Sequence, residues 1–372
     1  MKKYLVLLLS CFLSCSALAD DKDVLQQVFQ TLNDKYIDEV SLSDVVGLGF
    51  QAMSKEDENI RIAKEKNSAT IYVKGRLQKI YAAPIATTDA GKWADFVLTV
   101  LDGAKQVSPD LHRKDFELVE FFLYEALKSF DKYSRYYPVL DIGQEHVMPQ
   151  SYHASMYDNG ILYIRLGTIN KQMTKDFNKT MEKYQDLKGI ILDLRGNKGG
   201  YLKYALQIAD MFIDDGVMIY TTGRQKGKRQ IYRATEGSLY AQSPIVVLVN
   251  GETASSAEVI ALILSEKQRA LLVGSQTYGK GTVQNLYKLA NGAHLALTTE
   301  QFFSAKNTSI EETSGLRPDV CTASGENEET IKKAPRPTDD RFCPRTNNKL
   351  TSDIETAENI ILEILAALAE DK

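Results

Sequence analysis

The sequence predicts an α/β protein: a C-terminal half in which strands alternate with helices, behind a mostly helical N-terminal region. Three observations carry this. From Ile161 to Val273, short apolar runs alternate with segments of helical period. Two of those runs end in turn signals, Gly196-Asn197-Lys198-Gly199-Gly200 and Asn250-Gly251. Before Pro138 the apolar residues recur instead at helical spacing. Alternating β and α patterns imply a layered α/β architecture.

In residues 22–137, Val24, Leu25, Val28, Phe29 and Leu32 fall on one helix face, as do Phe116, Leu118, Val119, Phe122, Leu123, Ala126 and Leu127. Ala69 to Val73 reads as a short strand. Pro138 to Asn159, with Gly143 and Pro149, reads as a connector. Strands are then expected at Ile161–Leu166, Gly189–Leu194, Ile245–Val249 and Ala270–Val273. Helices are expected at Met173–Tyr184, Tyr201–Phe212 and Ala257–Leu264. Two more strands, Thr282–Leu289 and His294–Phe303, follow. A final amphipathic helix spans Ser352–Ala369, with Ser352 and Glu355 at capping-box spacing.

The chain has 372 residues, 44% hydrophobic and 25% charged, with a net charge of −4. That length suggests about two or three domains. The charge leaves no polybasic footprint, so no nucleic-acid partner is implied. At the N-terminus, basic Met1-Lys2-Lys3 precedes an apolar run, Tyr4 to Phe12, too short to span a bilayer. Ala17-Leu18-Ala19 then forms a small-x-small cleavage site. Residues 1–19 therefore read as a signal peptide cleaved after Ala19, giving a periplasmic or secreted protein with no stable membrane span. A retained anchor, or lipidation at Cys11 or Cys15, is the alternative. Cleavage leaves Cys321 and Cys343, and export to an oxidising compartment suggests that they form one disulfide. It would staple the Pro-rich segment 321–349. Metal binding is the weaker reading, because no histidine accompanies the pair.

Two stretches could carry chemistry. In the first, apolar Ile245 to Val249 runs into Thr253-Ala254-Ser255-Ser256-Ala257-Glu258 at the start of a helix. A serine held there lies near free backbone N–H groups that can stabilise an oxyanion. The same spacing, with Glu258, also fits a plain N-cap. Lys280 sits between Gly279 and Gly281 just before a strand, so Lys280, Thr282 and Gln284 share a strand face. As a base for Ser255, Lys280 must be neutral, which requires its pKa to fall from about 10.4 to near 7. Gln284 could orient the amine. A solvated turn lysine is the alternative. The four histidines, His112, His146, His153 and His294, lie in no tight turn. His294 alone falls on an expected strand from which a Ser/His pairing is conceivable. No pair of histidines has a metal-ligand spacing.

In the second stretch, the buried strand ending at Asp193 leads through Leu194-Arg195 into the glycine turn ending at Gly200. The spacing fits neither the dinucleotide fingerprint nor the P-loop. An oxyanion donor, or tight strand–helix packing, fits better.

Together these residues resemble the C-terminal processing peptidases, or tail-specific proteases (S41-type serine peptidases). Asp193 to Gly200 matches the family's Asp-Leu-Arg-x-Asn-x-Gly-Gly. Thr253 to Glu258 matches its Ser/Thr-Ala-Ser-x-x-Glu, and Tyr278 to Gln284 its Phe/Tyr-Gly-Lys-Gly-x-x-Gln. Lys280 follows Ser255 at the family's separation. The resemblance implies that Ser255, Lys280 and Gln284 are catalytic, with oxyanion donors on the backbone of Gly199, Gly200 and Ser256. Ser314 to Val320 looks like the family's ending of the core, and Asp131 to Tyr136 is a weaker echo of the segment closing its N-terminal region. The implied fold is a ClpP/crotonase-like core over 160–320, behind an N-terminal helical domain at 20–137 and before a C-terminal helix at 350–372. The implied function is an exported serine endopeptidase that needs no cofactor and acts on protein or peptide substrates. The family's peptide-binding PDZ domain has no room between Tyr137 and Ile161. An adaptor or a homo-oligomer could supply recognition instead, and the alternative function is a non-catalytic peptide-binding scaffold on the same fold. A crotonase-like acyl-CoA enzyme has only the shared fold behind it.

Overall fold

The structure, a computed structural model, describes residues 20–85, 87–112, 118–138, 152–184, 186–224, 228–237, 240, 243–311, 313–322, 343 and 350–370. The expected signal peptide, Cys11, Cys15, Phe116, His146, most of the expected connector and most of the segment between the two late cysteines lie outside the described residues. The chain divides into two compact units, Met1–Gly143 with Asn285–Leu297, and Gln144–Gln284 with Thr298–Lys372.

In the first unit, α1 (Asp21–Lys35) and α2 (Leu42–Ala52) precede β1 (Ile60–Lys64), β2 (Ser68–Val73) and β3 (Arg76–Ala82). Then come α3 (Ala90–Val107), α4 (Pro109–His112), α5 (Leu118–Phe130) and β4 (Arg135–Tyr137). Side-chain oxygens of Asp20, Ser41 and Asp89 accept backbone N–H groups in the first turns of α1, α2 and α3. Phe50 meets Phe96 and Phe122 at centroid distances of 5.9 and 5.5 Å in the core of this unit. The three strands form an antiparallel sheet in the order β1-β2-β3. The sequence indicated only β2. β3 escapes a pattern-based reading because Leu77 and Ile80 are exposed and its alternation is blurred. Asn285–Leu297, the tip of a later hairpin, contributes Leu289, Ala293, Leu295 and Leu297 to the same core.

The second unit contains β5 (His153–Met156), β6 (Ile161–Arg165), α6 (Lys171–Lys183), β7 (Gly189–Asp193), α7 (Leu202–Asp210), β8 (Val217–Gly223) and β9 (Arg229–Arg233). β10 (Ile245–Val249), α8 (Ser256–Glu266), β11 (Ala270–Gly274), β12 (Thr282–Lys288), β13 (His294–Ser304), β14 (Val320–Cys321) and α9 (Leu350–Glu370) follow; the hairpin tip between β12 and β13 belongs to the first unit. One sheet runs β5-β6-β7-β10-β11-β14, all parallel except β5. Alternate residues face opposite sides. Leu162, Ile164, Ile190, Leu192, Val247 and Val249 pack among α6, α7 and α8. Ile161, Tyr163, Ile191, Val246 and Leu248 pack against Ala357 and Ile361 of α9. Burial on both faces explains the unbroken apolar runs.

Several expectations are corrected. The connector contributes β5, which adds antiparallel to β6. α9 begins at Leu350, so Ser352 lies inside the helix rather than capping it. The expected ClpP/crotonase-like core is also corrected. A second sheet, with β12, β13, β8 and β9 in that order, carries the strand that follows Lys280. β8 pairs antiparallel with both β13 and β9. A strand's sequence pattern reports its burial, not which sheet it joins, so β8 and β9 went unread and the expected core was too simple.

A buried ionic cluster ties α9 to the parallel sheet. Arg195 donates to both oxygens of Asp193, at 2.9 and 2.6 Å, and to Asp353 of α9 at 2.9 Å. Tyr163 donates to Asp193 at 2.8 Å, and Thr322 to Asp353 at 2.6 Å. Burial works against the Arg195 charge, but the two carboxylates outweigh it and hold the guanidinium more firmly protonated than usual. The Cys321–Cys343 disulfide, with Cα atoms 6.0 Å apart, anchors the edge strand β14.

Candidate active site

β10 ends at Val249, and Asn250 organises the turn into α8. Its side-chain oxygen accepts the N–H of Gly196 at 3.0 Å and of Glu252 at 3.1 Å. Thr253 donates its hydroxyl to the Leu194 carbonyl at 2.9 Å, binding this turn to the end of β7. Ser255 follows with φ 58° and ψ −126°. Positive φ in a residue with a Cβ costs about 1–3 kcal/mol, so the surrounding bonds must enforce it.

Those bonds converge on Glu258, which has no exposed surface. Its Oε2 accepts the backbone N–H of Ser255 at 2.8 Å and of Lys280 at 2.9 Å. Its Oε1 accepts the Gly279 N–H at 2.8 Å and the Thr277 hydroxyl at 2.5 Å. Four donors satisfy a buried carboxylate that would otherwise be costly. The Tyr278 N–H adds a bond to the Thr253 carbonyl at 3.0 Å. The serine turn and the lysine loop are thus held by one side chain. Gly279, at φ 89°, brings the loop against Ser314, where a Cβ would come within 2.8 Å of the Ser314 carbonyl carbon. The Leu316 N–H donates to the Thr277 hydroxyl at 2.7 Å, so the Ser314 to Val320 motif closes over the lysine loop.

The glycine turn packs on the serine from the other side. A Cβ on Gly199 would lie 2.8 Å from the Ala254 carbonyl and 3.0 Å from both Ser255 Cβ and Ser256 N. Only glycine fits, and its φ of 92° needs glycine as well. The Gly199 N–H donates to the Asn197 side chain at 2.8 Å and is therefore engaged. The N–H groups of Gly200 and Ser256 make no hydrogen bond among the described residues. The buried Ser256 hydroxyl is likewise without a partner there.

Gln284 donates to the Thr282 hydroxyl at 2.9 Å and to the Thr298 hydroxyl at 3.3 Å. Ser255, Lys280 and Gln284 are all half-buried. His294 belongs to the first unit, paired opposite Tyr137, and His153 lies on β5. Sequence reading treated Glu258 only as the end of a capping box. The signal for more was present: one carboxylate in the otherwise apolar run Ala257 to Leu264. Asp353, the partner of Arg195, had no local signal, because its role depends on a helix docked from far along the chain.

A half-buried serine at positive φ, two neighbouring N–H groups without a partner among the described residues and a lysine loop bound to the same carboxylate form a constellation suited to acyl transfer. Residues 160–322 match the model of peptidase family S41. The carboxy-terminal-processing protease of Bartonella bacilliformis is 34% identical over 169 residues, 44% of this chain and 39% of that protein. The carboxyl-terminal-processing protease of Synechocystis is 36% identical over 159 residues, 42% of this chain and 36% of that protein. Through these residues the chain is similar to peptidase family S41 over its second half. It spans about two fifths of the length of those relatives.

Among solved structures, the photosystem II D1 C-terminal processing protease superposes with a TM-score of 0.50 at 16% identity, covering 81% of this chain and 93% of that one. A lipoprotein from Streptococcus agalactiae gives 0.52 at 17% identity, covering 89% and 98%. These likenesses identify the fold as that of carboxy-terminal-processing proteases and overturn the ClpP/crotonase-like expectation.

Proposed function

We propose that the chain is an exported serine endopeptidase that cleaves protein or peptide substrates through an acyl-enzyme. The observation that carries this reading is the shared acceptor: Ser255 and Lys280 donate their backbone N–H groups to one oxygen of Glu258. Ser255 Oγ attacks the substrate carbonyl while the neutral Lys280 amine takes its proton. The Gly200 and Ser256 N–H groups bind the oxyanion that forms. Collapse breaks the C–N bond, and Lys280 returns the proton to the leaving amine. Water, deprotonated by Lys280, then releases the acyl group. Gln284 steadies the lysine. Export follows from the N-terminal leader, with cleavage after Ala19 and release into the periplasm or the medium, where Cys321 and Cys343 oxidise.

The test compares the parent chain with Ser255→Ala on reduced, carboxymethylated α-lactalbumin, an unfolded protein. The parent is expected to produce fragments, and the variant none, with unchanged circular dichroism. Equal cleavage by the two would overturn the reading.

A further inference from the structure

The first unit contains an open groove of roughly 1020 Å³ between β1 and α2, unconnected with the serine chemistry. Its floor is the whole stretch from Ile60 to Lys66, and its wall is the α2 stripe Ser43, Gly47 and Gln51. β1 is an edge strand: β2 pairs with one side of it, and no described strand pairs with the other.

The register fixes which backbone groups are open. The Glu65 N–H donates to the Ser68 carbonyl at 2.8 Å, and the Lys74 N–H to the Asn59 carbonyl at 2.8 Å. Antiparallel pairing alternates, so the odd positions 59 to 65 bond to β2 and the even positions point away from it. The Asp57 carbonyl takes the Ile60 N–H at 3.1 Å. Ile62 and Lys64 are left with N–H and C=O groups directed to the open edge. Exposed strand edges pair with other chains unless something blocks them, and here only a groove lies alongside.

Lys64 adds charge to this edge. It is half-buried, its stem lies 3.6 Å from where a Gly47 Cβ would stand, and its Nζ donates to the Ser43 hydroxyl at 3.0 Å and to the Glu65 carbonyl. Among the described residues no carboxylate lies within ion-pair distance of it, although Asp44, Glu58 and Glu65 also line the groove. The Lys64 Nζ also lies 5.6 Å from the Trp93 ring centroid, and burial outweighs the favourable charge of Asp44, which leaves the ammonium under-compensated.

We propose that this groove binds an extended segment of the polypeptide substrate as an added strand on β1, with a substrate carboxylate against Lys64. Main-chain bonds to Ile62 and Lys64 supply sequence-tolerant affinity, and the Lys64 contact favours acidic segments. That the bound polypeptide is a substrate rests on the peptidase reading; the binding itself does not.

The test uses the full chain with Ser255→Ala, which leaves the probe uncut, and fluorescein-labelled, reduced and carboxymethylated α-lactalbumin, an unfolded acidic polypeptide. Anisotropy titration is expected to show binding. Gly47→Leu fills the groove from a helix position open enough for a side chain, and should weaken binding at least tenfold. Lys64→Met keeps the apolar stem, loses the charge and should weaken it at least threefold. Hydrogen exchange should slow over 60–66 when the probe is added. Unchanged affinity in both variants, no binding at all, or protection confined to other segments would overturn the proposal. So would a Gly47→Leu chain that goes from dimer to monomer in sedimentation while binding the probe normally, since β1 would then pair with a second copy. If the parent chain fails to cleave the probe yet Gly47→Leu still weakens binding, the groove stands and the peptidase reading falls.

Discussion

Ser255 and Lys280 donate their backbone N–H groups to the same oxygen of Glu258, at 2.8 and 2.9 Å. Ser255 and Glu258 form a capping box at the start of α8, and the same carboxylate reaches across to the lysine loop. A buried carboxylate holds both, and the serine pays in backbone strain.

That strain can be measured. Ser255→Gly removes the Cβ at φ 58°, and glycine adopts that φ freely. The variant should lose all cleavage while gaining about 1 kcal/mol in stability by denaturant unfolding. Ser255→Ala keeps the Cβ and should gain far less. Equal stabilities for the two would mean that the turn is unstrained.

Glu258→Gln keeps the size but turns one acceptor into a donor facing N–H groups. Hydrogen bonds to charged groups are worth about 1.5–3 kcal/mol each, so the serine turn and lysine loop should loosen. The expected result is a fall in kcat of roughly 100-fold, about 2.7 kcal/mol, with KM little changed. A matching loss in KM with kcat intact would assign Glu258 to substrate binding instead.

Arg195→Met should destabilise the second unit by about 3–5 kcal/mol, because Asp193 and Asp353 would remain buried without their cation. Thermal unfolding is the measurement. An effect below about 1 kcal/mol would fit only an exposed pair.

Tyr163 supplies a pH dependence. Burial first, and the adjacent Asp193 charge second, push its phenol up to about 12. The folded pKa lies above the unfolded value of about 10, so this contribution is complete below pH 10 and is lost as pH climbs toward 12. The melting-point advantage of the parent over Tyr163→Phe should therefore shrink across that interval. An advantage that stays constant to pH 12 would show that Tyr163 does not ionise there.

Much of the candidate site was legible as motifs in the residues. Ser255, Lys280 and Gln284, both glycine turns and the cysteine pair stood out because tight turns and short motifs leave local marks. So did β6, β7, β10 and β11, whose burial on both faces writes an unbroken apolar run. What left no such mark was pairing over distance: β8 and β9 joining β13 in a second sheet, β5 emerging from an apparent connector, and Asp353 returning to Arg195. The capping box of Ser255 and Glu258 was legible because it lies within one turn of helix, but the reach of Glu258 to the lysine loop was not.

The sequence alone determined which residues are candidates for acyl transfer and where the backbone had to turn. Only the tertiary structure decided that one carboxylate would hold the serine and lysine segments together, that the Gly199 N–H would be occupied, that those of Gly200 and Ser256 would meet no partner among the described residues, and that β1 would be the edge of its described sheet beside a groove. The physical reason is the same throughout: a hydrogen bond is satisfied by whichever partner the fold brings within about 3 Å, and sequence spacing does not record that distance.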